Sequence, residues 1–227
     1  MSKSVIMLSS LTKKFLMAFA GLFLVMFLPV HLGINLFILP LTENHVEIFK
    51  EAVHFMTTNP LIKVMEIVLF SALFLHMIFG VILWFENRQA RPVGYKVSQK
   101  SKVYSPASRF MIHTGIMVLL FLVLHFVNFY FVKLGLTTAP AGPNVTADNH
   151  DFYNMALNLF SQPLYSILYV VLICGLGVHL HHAFQSAFQS LGLNHPIYTP
   201  VIKGVGLVYS IVITACFISI PIFFMLQ

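Results

Sequence analysis

Five apolar runs, each long enough to cross a bilayer and almost free of charge, dominate this 227-residue chain. A helix needs about 20 apolar residues to cross the hydrocarbon of a bilayer. In lipid every backbone polar group must find its partner inside the protein, so only helices and closed barrels span. Barrel strands are short and alternate in polarity, whereas these runs are long and continuous. They predict spans at about 15–39, 61–85, 110–133, 164–188 and 201–225. Only 9% of the residues are charged and 58% are hydrophobic, against roughly a quarter charged in soluble domains. The expected fold class is therefore an all-α integral membrane protein, a single domain over 1–227 with five transmembrane helices.

Local signals agree with those boundaries. Asn59-Pro60, Ser105-Pro106, Gln162-Pro163 and Thr199-Pro200 each precede a span, where the missing N–H of proline is harmless. The first run begins after Lys13 and Lys14 and is too long for the core of a cleaved signal, so none is expected. Segment 44–57 carries Val46, Phe49, Val53 and Met56 at helical spacing, which predicts a short amphipathic helix on the membrane surface. The loop 134–162 contains Asn144-Val145-Thr146, a weak match to a glycosylation acceptor.

The net charge of +6 raises the question of nucleic acid. Its distribution answers it. Lys3, Lys13, Lys14, Arg88, Arg91, Lys96, Lys100, Lys102, Arg109 and Lys203 fall on one side of the predicted spans, ten of the 13 basic residues. Lys50, Lys63 and Lys133 fall on the other, with Glu43, Glu47, Glu51, Asp148 and Asp151. The positive-inside rule then predicts a cytoplasmic N-terminus and an outer C-terminus. The charge is a topology signal, and no nucleic-acid partner is expected. Cys174 and Cys216 lie in spans and belong to no haem-attachment or C-x-x-C motif, so both read as small buried apolar residues.

Four histidines, His31, His76, His125 and His179, occupy four different spans. Ionisable groups inside a membrane are functional candidates by default. At 1.5 Å per residue from the basic side, His31 and His125 lie about 25 and 24 Å deep, and His76 and His179 about 15 and 16 Å deep. Depth therefore sorts them into an outer pair, His31 with His125, and an inner pair, His76 with His179, about 9 Å apart in height. One metal cluster would need all four at one level. Two planar macrocycles, each gripped by two helices, fit better, and paired axial histidines are the ligation of b-type haem. The first four spans are thus expected to form a haem-binding bundle with two haem b cofactors.

His182 lies about 60° around the helix from His179 and one turn on, so it is an alternate to His179. His181 faces away, His113 has no partner at its depth, and His45, His54, His150 and His195 read as surface residues. Gly21, Gly33, Gly80, Gly115, Gly175 and Gly177 offer close approach to a flat cofactor or to a neighbouring helix. Glu66 sits near the outer end of the second span, one turn from Lys63. It reads either as a snorkelling pair with that lysine or as a proton acceptor at a quinol site, assisted by Glu47, Glu51 and His54.

With these residues in place, the chain resembles a known family, the dihaem cytochrome b membrane-anchor subunit of succinate dehydrogenase or fumarate reductase, of the single-polypeptide five-helix type. The resemblance spans nearly the whole chain. It rests on Ser9-Ser10-Leu11-Thr12-Lys13-Lys14 entering Met17-Ala18, on His31, on His54-Phe55-Met56-Thr57-Thr58-Asn59-Pro60 leading to His76, and on Thr114-Gly115 followed by His125. In the fourth span the family pattern has a ligand histidine, Gly four residues later and Ser seven later. Here His179 is followed by Ala183 and Ser186, one small residue replacing another.

The resemblance implies an electron-transfer subunit of a respiratory complex II in a bacterial inner membrane, not catalytic alone. A flavoprotein with FAD and an iron–sulfur subunit would dock on the cytoplasmic face, against the basic loop 86–109. Electrons would pass to the inner haem, the outer haem and a quinone, usually menaquinone in this type. Arg109 or Lys13 would meet haem propionates. Two rivals remain: a stand-alone transmembrane dihaem cytochrome, and a haem-free transporter with a histidine proton relay, which would call for broken helices in corresponding repeats.

Overall fold

The computed structural model describes residues 8–89 and 110–227. These residues form helices and connecting turns, with no strand among them. Five helices are long and apolar enough to cross a membrane: Ser10–Ile38, Pro60–Gln89, Met111–Lys133, Pro163–Ser190 and Tyr198–Met225. The protein is a multi-pass, all-helical membrane protein. In chain order we label the helices α1 (Ser10–Ile38, its last turn 3-10), α2 (His45–Thr58), α3 (Pro60–Gln89), α4 (Met111–Lys133), α5 (Phe152–Phe160), α6 (Pro163–Ser190) and α7 (Tyr198–Met225). Four of the five spans extend beyond the predicted ones, by up to five residues at an end, while α4 begins one residue later than expected; a polar cap accounts for part of the added length. Ser9, for example, caps α1 by accepting from the N–H of Thr12.

The long helices alternate in direction. Lys13 at the start of α1 meets Glu86 at the end of α3, and Glu66 at the start of α3 meets Lys133 at the end of α4. We call the end of the bundle where α1 begins the entry face, and the opposite end the far face. Helix α1 packs on α3 and α6, and α4 packs on α6. Side chains of α3 and α4 meet near the far face, where Phe70 touches Phe126 and Tyr130. The four helices therefore stand at the corners of a square, with α1 opposite α4 and α3 opposite α6. Helix α7 lies outside it, mainly against α6. There the helices approach so closely that a Cβ on Gly177 would come within 2.3 Å of the Thr214 hydroxyl.

The buried core sits in two places. Val25, Leu32, Leu176, Leu180 and Ile213 join α1, α6 and α7. A larger cluster caps the far face, where Ile38, Phe49, Leu159, Phe160, Tyr169 and Ile220 converge. The amphipathic helix α2 forms as expected, and its apolar face, centred on Phe49, packs into this cap. Helix α5 falls inside the segment read from sequence only as a loop. Asp151 caps it, and Met155, Ala156, Leu159 and Phe160 are its buried face. Asn144 is no free loop residue: its side chain and N–H both donate to Oδ1 of the buried Asn158. Cys174 is exposed and Cys216 half-buried, so the buried position expected for Cys174 is not observed; it lies on an outward face of α6.

Two of the four corner helices are irregular beside their histidine. Pro29 interrupts α1 two residues before His31. Immediately after His125, residues Phe126–Tyr130 of α4 form a π turn, a distortion that recurs at functional sites.

Candidate functional site

The structure brings the four membrane histidines together two by two. The rings of His31 and His125 have centroids 5.8 Å apart and planes at 88°. Those of His76 and His179 are 6.3 Å apart at 85°. Each pair joins opposite corners of the square, α1 with α4 and α3 with α6, so both lie on the bundle axis. The ring of His76 stands level with Gly21 of α1, ten residues before His31, or about 15 Å along the helix. The two pairs are thus further apart along α1 than the roughly 9 Å that helical rise from the span ends predicts.

The inner pair has a defined proton arrangement. Nδ1 of His76 lies 3.2 Å from the carbonyl oxygen of Met17. A carbonyl only accepts, so Nδ1 carries the proton and Nε2 presents a lone pair. On the other side, the Thr114 hydroxyl donates to the carbonyl of Met111 at 3.0 Å and lies 3.3 Å from Nδ1 of His179. Its one proton is already committed, so it accepts from Nδ1 and leaves Nε2 of His179 as a lone pair too. Hydrogen bonds of this kind, from the distal ring nitrogen, orient histidines that ligate metals. Glycines make room for both rings. A Cβ on Gly21 would sit 3.1 Å from two atoms of the His76 ring, and one on Gly115 would sit 3.7 Å from Cε1 of His179.

The outer pair is held by aromatic stacking. Phe27 stacks on His31 at 5.2 Å and 22°, and Phe121 on His125 at 5.5 Å and 15°. In both cases the phenylalanine is one helical turn earlier, the spacing that places side chains on one face. Phe129 and Phe217 close the remaining sides. The amide nitrogen of Asn35 donates to the carbonyl of His31 at 2.7 Å and lies 3.4 Å from its Nδ1. Nδ1 of His125 is buried with no hydrogen-bond partner among the described residues, and an orphaned buried nitrogen calls for an explanation.

Two imidazoles that share one metal ion from opposite sides, with metal–nitrogen bonds of about 2.0–2.1 Å, have ring centres about 6 Å apart. Both pairs match that separation. Among the described residues no group of three or more His, Cys, Asp or Glu is placed to hold a bare ion. A metal at either pair would take its remaining ligands from a non-protein source, which is what the four nitrogens of a porphyrin provide. The residues present fit such a group.

The other residues that the sequence singles out separate cleanly by position. His182 turns to His181, with ring centroids 5.1 Å apart, and His179 rather than His182 faces His76. His113 is exposed and packs on Phe110. Glu66 does not pair with Lys63, which is exposed. It accepts from Lys133 of α4 at 3.1 and 3.2 Å. Tyr130 borders the same carboxylate, while Glu47, Glu51 and His54 are exposed. Lys13 is almost fully buried and engaged by Glu86. Arg109 and most of the basic loop 86–109 lie outside the described residues. Gly33 and Gly80 face open space rather than a close neighbour.

Comparison with protein-family models, with curated proteins and with solved structures finds no match for this chain. The functional reading therefore rests on its own residues.

Three contributors escape sequence reasoning. Thr114 stands out in the sequence only as part of a motif, Met17 acts through its backbone, and Tyr209 on α7 donates its hydroxyl to the carbonyl of Val25. Proline carries no N–H, so Pro29 leaves the Val25 carbonyl without its helical donor. Pro29 itself is the one sequence signal pointing to that bond.

Proposed function

We propose that this protein is the membrane-anchor and electron-transfer subunit of a succinate dehydrogenase or fumarate reductase, holding two b haems through His76 with His179 and His31 with His125. The observation that carries the reading is the presence of two perpendicular histidine pairs on the bundle axis, at 6.3 and 5.8 Å. A bound haem supplies reversible one-electron chemistry. The chain does the rest. His76 and His179 would hold the iron through Nε2, since Met17 and Thr114 engage their Nδ1 atoms. His31 and His125 are oriented by Phe27 and Phe121, and the phenylalanines around them exclude water. Haems held at the two levels would stand in series from the entry face to the far face.

The entry face is cytoplasmic on the positive-inside rule. There the family resemblance calls for an iron–sulfur subunit and a flavoprotein with FAD. On the far side, Glu66 with Lys133 and Tyr130 forms the polar group best placed to take protons from a quinol, menaquinol in this type. The membrane is then the bacterial inner membrane.

A reduced-minus-oxidised optical spectrum with a haem-to-protein ratio tests the cofactor claim. Two low-spin haems per chain are expected; replacing His125 should remove one and replacing His76 the other. A chain purified without haem overturns the proposal. Co-purification tests the partners: a dihaem chain that reproducibly comes without a flavoprotein and an iron–sulfur protein is a stand-alone cytochrome instead.

A further inference from the structure

Helix α7 carries no membrane histidine, yet one of its side chains touches the outer pair and another holds the helix that carries His31. Phe217 packs on the His31 ring at 5.9 Å. Tyr209 donates its hydroxyl to the carbonyl of Val25, the group that Pro29 deprives of its helical N–H. An unsatisfied carbonyl inside hydrocarbon is costly, and a proline break left to itself kinks a helix. The break lies between Val25 and Pro29, and His31 follows it by two residues. Whatever fixes the angle at the break fixes where the His31 ring points.

The rest of the outer pair is built in a parallel way. The π turn after His125 perturbs the backbone ladder of α4, and a side chain from beyond the helix, Thr137, donates to the Val127 carbonyl within that turn at 2.7 Å. No proline or π turn interrupts α3 or α6, the helices of the inner pair. Irregular backbone with a hydroxyl donor supplied from elsewhere is a property of the outer pair alone among the described residues.

We propose that Tyr209 is a positioning residue for the outer pair, setting the orientation of His31 by closing the backbone gap that Pro29 opens in α1. The proposal rests on the haem reading for its spectroscopic consequence, though not for its structural one. It assigns to the fifth span a part in tuning one of two redox centres.

The test is a double-mutant cycle on the purified full-length protein, with Tyr209→Phe, Pro29→Ala and the pair. Alanine at 29 restores an N–H for Val25, so the tyrosine hydroxyl is then no longer needed. Tyr209→Phe alone should shift the outer low-spin resonance and its midpoint potential while leaving the inner centre unmoved. In the Pro29→Ala background the same change should be silent. Hydrogen exchange over residues 25–35 is read on the same samples and needs no haem. It should accelerate in Tyr209→Phe and return toward the parent rate in the double variant. Additive effects of the two substitutions, equal shifts of both centres, or unchanged exchange in Tyr209→Phe would overturn the proposal. Wild-type protein without haem would overturn the proposed function, and exchange alone would then decide this one.

Discussion

Thr114 accepts a hydrogen bond from His179 because it has already given its only proton to the carbonyl of Met111. That one hydroxyl links a turn of α4 to the protonation state of a ring on α6, and so decides which nitrogen faces His76.

Replacing Thr114 with valine keeps the shape and removes the acceptor. The inner site should lose about 10–100-fold in cofactor affinity, the usual effect of removing a partner behind a ligating histidine. The outer site should be unaffected. Titration of the purified apoprotein with haem, followed optically, measures both in one experiment.

Gly21 is the second lever on the inner pair. A methyl there would press on two ring atoms of His76 at 3.1 Å. Gly21→Ala should be tolerated with a small shift of the inner spectrum. Gly21→Leu should displace the ring and abolish the inner signal, with about 1–3 kcal/mol lost from overpacking. Thermal melting in detergent beside the spectrum separates the two effects.

The ion pair between Lys13 and Glu86 joins α1 to α3 at the entry face. Removing one partner of a buried pair costs about 3–5 kcal/mol, because the other charge is stranded. Glu86 keeps 24% of its side-chain surface exposed, so the low end is expected for Lys13→Met. The double variant Lys13→Met, Glu86→Leu should melt higher than Lys13→Met alone, which a melting series in one detergent would show.

The far-face cap should loosen in acid. Burial pushes the Asp151 carboxyl up, but donors from the Ala147 N–H and from the side chain and N–H of Asn154, with Lys50 nearby, bring it below its ordinary range. A carboxyl held lower in the folded state contributes stability that is present above its unfolded value, about 3.9, and is lost as pH falls through the folded one. Protection of the α5 amides, the intrinsic exchange rate divided by the observed one at each pH, should therefore fall below about pH 4. In Asp151→Asn that pH dependence should be gone.

Much of the arrangement is legible in the chain because membrane helices are a narrow alphabet. Length, proline and lysine place the five spans, and helical rise alone pairs His31 with His125 and His76 with His179. What the sequence hides is everything carried by the partner rather than the residue. Glu66 has a lysine three residues away, yet its partner is Lys133, 67 positions on and on another helix. Lys13 reads as a marker of the membrane edge and proves to be buried against Glu86. The bond from Tyr209 to Val25 spans 184 residues, and no local pattern encodes it. Helix α5 lies in the segment expected to be a loop, because nine residues are too few to register beside spans of 23 to 30.

The diagonal layout has a consequence for how the protein is made. Each pair takes one histidine from the first two corner helices and one from the last two, so neither can close while only the first half of the chain is in the membrane. The outer pair is complete once α4 has inserted, and the inner pair waits for α6. The order of synthesis therefore completes the pair nearer the far face first and the pair nearer the entry face last.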